Sequence, residues 1–116
     1  NLRERQKEAE RAEALIEKEV GRFWQWWRSR EVVPAIVRLR ERVEAIRVEE
    51  LSKAMSRLGR LSPEERAVVE ALTTALVNKI LHAPLAELKR QSVLGNGHLY
   101  AQALQRLFGL EEGQRG

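Results

Sequence analysis

The 116 residues contain no cysteine and no aspartate, only three prolines, and six aromatic side chains, three of them tryptophan. Without cysteine there can be no disulfide, no thiolate metal ligand and no cysteine nucleophile. Without aspartate, glutamate is the sole acidic side chain, and the 17 glutamates face 21 lysines and arginines for a net charge of +4. Threonine occurs only at Thr73 and Thr74 and tyrosine only at Tyr100, so residue types that favour strands are scarce. No apolar run approaches the ~20 residues of a membrane span, and charge begins at Arg3, which argues against a membrane helix or a secretion signal. A soluble, cytoplasmic protein with no membrane partner is the expectation.

Ala, Glu, Lys, Leu and Arg make up 67 of the 116 residues, more than the half that signals long helices. The length is that of one domain, sufficient to bury a core without covalent staples. An all-α fold of about five helices is predicted, led by a long one. Residues 2–30 hold no proline and a single glycine, and Leu2, Ala9, Ile16 and Phe23 recur every seven residues, with Ala12, Val20 and Trp27 between them. That spacing places one apolar stripe along a helix. At 1.5 Å per residue it would run roughly 40 Å, longer than a compact domain of this size is wide, so part of it must protrude or lie on another chain. The chain also opens at Asn1 directly into this helical pattern, as a piece of something longer would.

Val32-Val33-Pro34 marks a second start, because proline is tolerated in a first helical turn and disfavours helix at the residue before it. Ile36, Leu39, Val43 and Ile46 then follow at spacings of three, four and three, and Gly59 supplies a stop. Ser62-Pro63-Glu64-Glu65 combines an N-cap serine, a proline at N1 and a glutamate at N3, the signature of a capping box. The helix it opens is predicted to reach Leu81 and to end at His82-Ala83-Pro84. Its apolar residues from Val68 to Leu81 cover more than one face, as on a helix contacted from two sides. A shorter helix from Pro84, a turn at Gly95-Asn96-Gly97, a last helix from His98 to Gly109 and a loose tail over 111–116 complete the reading.

Candidate chemistry is sparse. His82 and His98 sit on different elements with no other ligand type close by, so a metal site would need glutamates from afar. His82 reads as a helix-terminus residue that bonds free carbonyls, and His98 as a neutral, exposed residue of a first turn. The adjacent pairs Glu49-Glu50, Glu64-Glu65 and Glu111-Glu112 point their side chains about 100° apart on a helix, which suits solvated faces and first-turn charge better than acid–base catalysis. There is no glycine-rich phosphate loop and no nucleophile motif. Arg38, Arg40, Arg42 and Arg47 are interleaved with Glu41 and Glu44, so no basic stripe dominates. Phe23-Trp24-Gln25-Trp26-Trp27 cannot all face one way; the cluster is either a core anchor with one exposed ring or the centre of an interface.

Several segments together resemble a known family. Arg30-Glu31-Val32-Val33-Pro34, Leu39-Arg40, Glu44-Ala45-Ile46-Arg47, Glu50-Leu51 and Glu64-Glu65-Arg66 are part of the likeness. Its most specific element is Ala75-Leu76-Val77-Asn78-Lys79-Ile80-Leu81-His82-Ala83-Pro84, and Leu99-Tyr100 and Leu107-Phe108-Gly109-Leu110 close it. The sequence is similar to the C-terminal dimerisation domain of glutamyl-tRNA reductase. The resemblance implies a V-shaped homodimer in which a long spinal helix joins three domains. It also implies a parent enzyme that reduces the glutamate carried on its tRNA to glutamate-1-semialdehyde with NADPH, at the entry of tetrapyrrole synthesis. That family's thioester-forming cysteine, catalytic histidine and nucleotide-binding glycines belong to domains absent from these 116 residues. No catalytic, cofactor or metal residue is therefore carried over, and tRNA recognition is expected to lie mainly in other domains.

On this reading residues 1–30 are the distal part of the spine, 31–110 a helical dimerisation domain and 111–116 a flexible tail. Ile36, Leu39, Val43 and Ile46 of the second helix, with Leu72, Leu76 and Ile80 of the third, are candidates for the dimer interface, some of them belonging instead to the intrachain core. Asn78, Lys79 and His82 are polar residues close to this apolar stretch. They are placed either as a hydrogen-bonded network that fixes register or, for Lys79 and His82, as C-terminal caps. Two other functions remain open from the residues: a helical adaptor that recruits a different protein, and an RNA-binding accessory module whose affinity falls with salt.

Overall fold

In the computed structural model, which describes residues 1–110, the only regular structure is helix: α1 Leu2–Ser29, α2 Val32–Leu58, α3 Pro63–Val93 and α4 Gly97–Leu107. Arg30 and Glu31 alone separate α1 from α2, and both keep right-handed helical backbone angles. The two helices thus form one bent rod of 57 residues, Leu2–Leu58. The molecule is extended, 87 × 34 × 16 Å with a radius of gyration of 23.2 Å, where a compact domain of this length would have about 13 Å. The tail expected over 111–116 lies outside the described residues.

The expectation of five helices is wrong at Pro84, which lies inside α3 rather than at the start of a new helix. Proline removes one hydrogen bond to the carbonyl of residue i−4 and costs about 3 kcal/mol in a helix interior. Here that carbonyl belongs to Ile80, an exposed residue, so water can reach the freed oxygen. Leu81, Leu85 and Leu88 flank Pro84 at helical spacing and enter the same core. Their burial holds both sides of the proline on one axis. The predicted start at Ser62 is found as read: the Ser62 hydroxyl accepts from the Glu65 N–H at 3.1 Å, and the Glu65 carboxylate accepts from the Ser62 N–H at 2.9 Å. That backbone donor holds the Glu65 carboxyl below the usual carboxylate range.

The core lies at one end of the molecule. Val32, Ala35 and Leu39 of α2 meet Leu81, Leu85 and Leu88 of α3 and Ala101 and Leu104 of α4, with Ile36, Val43, Val77 and Leu110 packed around them. Polar ties accompany the apolar ones. Arg38 donates to the side-chain Oε1 of the buried Gln105 at 2.8 Å, joining α2 to α4, and Arg47 donates to the Thr73 hydroxyl at 3.2 Å, joining α2 to α3. At the end of α3 the buried Gln91 amide donates to Glu87 at 2.8 Å and accepts from Asn96 at 3.1 Å. Hydrogen bonds first from Arg90 and then from Gln91 hold the Glu87 carboxyl at a pKa of about 2, so this network stays ionised at neutral pH.

The α3–α4 turn uses glycine for two different reasons. Gly95 has φ of 90°, a left-handed angle that side chains resist. Gly97 is a matter of space: a Cβ there would stand 2.8 Å from Val32 Cγ2 and 3.0 Å from the Ser92 backbone. Gly97→Ala is expected to push the start of α4 off the core and lower stability by about 1–3 kcal/mol, the range of overpacked sites. Thermal unfolding beside the parent chain checks this; an unchanged midpoint would mean that α4 is not held so closely.

α1 is exposed from Leu2 to Trp27, and among the described residues its ties to the rest of the molecule lie near its root. The Gln25 amide donates to the Val93 carbonyl at the end of α3 at 2.9 Å, and Glu31 at the joint faces His98 of α4 at 3.4 Å. His98 is therefore half-buried at a contact, not simply exposed. Phe23, Trp24, Trp26 and Trp27 form a mutual cluster with ring centroids 5.7–6.4 Å apart, and the Arg30 guanidinium lies 4.1 Å from the Trp27 ring centre. All four rings stay substantially exposed, so the core-anchor reading of this cluster is corrected. Trp24 and Trp27 line an opening with His98 at the start of α4, and this one-sided contact leaves the rings uncovered among the described residues.

Candidate functional site

A chain of this mass folded compactly would expose about 6,500 Å², whereas this one exposes 9593 Å². Part of the excess is the rod, and part is apolar surface on α2 and α3. The candidate interface residues divide by burial. Leu39 is fully buried within one chain, and Ile36 and Val43 are half-buried against the same core. Ile46, Leu72, Leu76 and Ile80 are 50, 57, 52 and 67 % exposed. On α3, Val68, Leu72, Leu76 and Ile80 recur every four residues and form one open stripe, because α4 covers the α2–α3 pair only around Val32–Leu39 and Leu81–Gln91.

The polar candidates sit on the same helix. Since α3 continues through Pro84, Lys79 and His82 do not lie at a helix terminus, and the capping reading for them is excluded. Asn78, Lys79 and His82 make no side-chain hydrogen bond or ion pair with any other described residue. Asn78 lines an open groove of about 500 Å³ between α2 and α3, together with Arg40, Glu41, Glu44, Val77 and Leu81. His82 lines a second opening beside it with Arg40, Leu85 and Lys89.

The adjacent carboxylates find local roles. Glu49 and Glu50 both reach Lys53 at 3.4 Å, Glu64 and Glu65 occupy the first turn of α3, and Glu111-Glu112 lies outside the described residues. On α1, Glu19 pairs with Arg22 at 3.5 Å. Among the described residues no three potential ligands converge on a metal position, and no helix is long and apolar enough to cross a membrane.

The geometry is thus that of a scaffold with an uncovered apolar face, and sequence comparison places it. The family profile described as "Glutamyl-tRNAGlu reductase, dimerisation domain" matches residues 11–110. The chain belongs to this family. Similar proteins include the glutamyl-tRNA reductase of Syntrophotalea carbinolica, 50 % identical over 110 residues that cover 95 % of this chain and 25 % of the relative. Those of a Picosynechococcus species and of Carboxydothermus hydrogenoformans are 48 and 44 % identical, over 96 and 99 % of this chain and 26 % of each relative. The chain therefore spans about a quarter of the length of the glutamyl-tRNA reductases it matches. No solved structure matches it.

Within the glutamyl-tRNA reductase dimerisation-domain family, this member also exposes apolar residues outside the candidate interface set. Val37 and Val48 are about half exposed on the side of α2 away from Leu39. Their signal was present, since both lie about half a turn from Leu39 at 100° per residue. It was masked by the stronger spacing of the core residues.

Proposed function

We propose that the chain is the homodimerisation domain of a glutamyl-tRNA reductase and acts by association. The observation that carries the reading is the open stripe Val68, Leu72, Leu76 and Ile80 on α3, beside Ile46 of α2, in a domain whose own core lies elsewhere. Covering such a stripe with its own copy removes apolar area from water at ~25 cal/mol per Å². A closed two-fold arrangement lets one patch meet itself. In this proposal residues 1–30 are the distal spine, 31–110 the association domain and 111–116 a tail.

The parent enzyme would reduce glutamyl-tRNA with NADPH to glutamate-1-semialdehyde for tetrapyrrole synthesis in the cytoplasm. Its catalytic and nucleotide-binding residues, and most of its tRNA contacts, would lie in the other domains. Sedimentation equilibrium over a wide concentration range tests the association. A dimer that persists near 1 M salt, where the screening length is about 3 Å, is expected of an apolar interface. A monomer at every concentration would overturn the reading and favour recruitment of a different chain.

A further inference from the structure

The outward sides of α2 and α3 each present a charge among apolar residues. On α3, Leu72, Leu76, Lys79 and Ala83 fall within an arc of about 60° at 100° per residue, on the side opposite Leu81. On α2, Val37, Glu41 and Val48 fall within about 40° of one another, on the side opposite Leu39, with Glu41 at the outer edge of the α2–α3 groove that Asn78 also lines. Leu81 and Leu39 are buried, whereas Val37, Val48, Leu72 and Leu76 are about half exposed, in agreement with this phasing.

Lys79 and Glu41 are exposed, and neither side chain makes a hydrogen bond or ion pair with any described residue. On α2 the exposed carboxylates other than Glu41 find partners, Glu44 with Arg47 and Glu49 and Glu50 with Lys53, and on α3 Glu87 pairs with Arg90. Helix neighbours cannot serve the two. One turn from Lys79 stand Ala75, Leu76, His82 and Ala83, with no carboxylate among them. One turn from Glu41 the sole cation is Arg38, which is engaged with Gln105.

From this complementarity we infer that Lys79 of one copy pairs with Glu41 of a second copy, the outer face of α3 lying against the outer face of α2 in the other chain. The inference rests on the homodimer reading above. Two-fold symmetry makes the contact twice, because a residue that meets another across the axis is met by it in return. It also disfavours the simplest alternative, α3 packed on its own copy around Lys79, which would bring two like charges together in an apolar seam. A lone charge pair in such a seam acts chiefly on register and choice of partner, since every other alignment leaves a charge desolvated and unpaired.

Charge exchange between the two positions tests the pairing in the 116-residue chain. Lys79→Glu and Glu41→Lys are each expected to weaken self-association about tenfold or more by setting like charges together. The double variant carrying both changes restores the dimer. An equimolar mixture of the two single variants, one bearing a mass tag, is expected to form the mixed dimer selectively in native mass spectrometry. Each variant is expected to keep the parent's helical circular dichroism, because neither side chain has a partner among the described residues. Parental dimers whose single variants show no preference for the mixed dimer would overturn the pairing and leave the homodimer reading intact. A parental chain that stays monomeric would overturn both.

Discussion

Leu39→Ala is expected to lower the unfolding free energy by about 2–5 kcal/mol, the cost of removing a buried leucine and leaving part of its volume empty. Leu39 is the largest side chain with no solvent exposure at all, and it sits where α2, α3 and α4 come together. Elsewhere the molecule offers little to compensate, since its remaining length is single helix or a two-helix pair. Urea unfolding followed by circular dichroism, at protein concentrations where association is negligible, checks the value. A loss below about 1 kcal/mol would mean that the three helices close over the gap and that the core is softer than its packing indicates.

Leu76→Glu should behave in the opposite way, leaving the chain folded while the dimer falls apart. Leu76 is 52 % exposed in the single chain, so a carboxylate there stays in water and the core is untouched. Across a covered interface the same carboxylate would be desolvated among apolar groups, a cost that drives dissociation instead. A rise in the dimer dissociation constant of about 100-fold, or about 2.7 kcal/mol, is the expected result by sedimentation, with helicity unchanged. The pair of variants separates folding from association, because Leu39→Ala affects the first and Leu76→Glu the second. A Leu76→Glu chain that dimerises as tightly as its parent would move the interface off this stripe.

Sequence and structure agree where local chemistry is decisive and part where tertiary packing is. The Ser62–Glu65 capping box was readable because both of its hydrogen bonds lie within four residues. Ile36, Leu39 and Val43, offered by their spacing as interface candidates, meet the intrachain core instead; 3.6-residue periodicity reports which side of a helix is apolar. It does not report whether that side is covered by the same chain or by another, so Leu39 and Leu76 looked alike. Pro84 was misread because its helix-breaking tendency is local, while the three leucines around it are fixed by α2 and α4. The tryptophan cluster was similarly ambiguous, because four large rings in five residues suggest a core wherever a second layer exists.

The two-residue joint at Arg30–Glu31 turns α1 into a lever arm. Its span is about 40 Å, while the Gln25 contact with Val93 lies only about 9 Å from the fulcrum by helix rise. A displacement of about 1 Å at the end of α3 is thus magnified to about 4 Å or more at Asn1, and a swing of about 10° carries that end about 7 Å. With its stiffness supplied by unbroken helix and its angle set by Gln25 and Glu31 at the root, the arm converts small rearrangements of the α3–α4 turn into large translations at its tip.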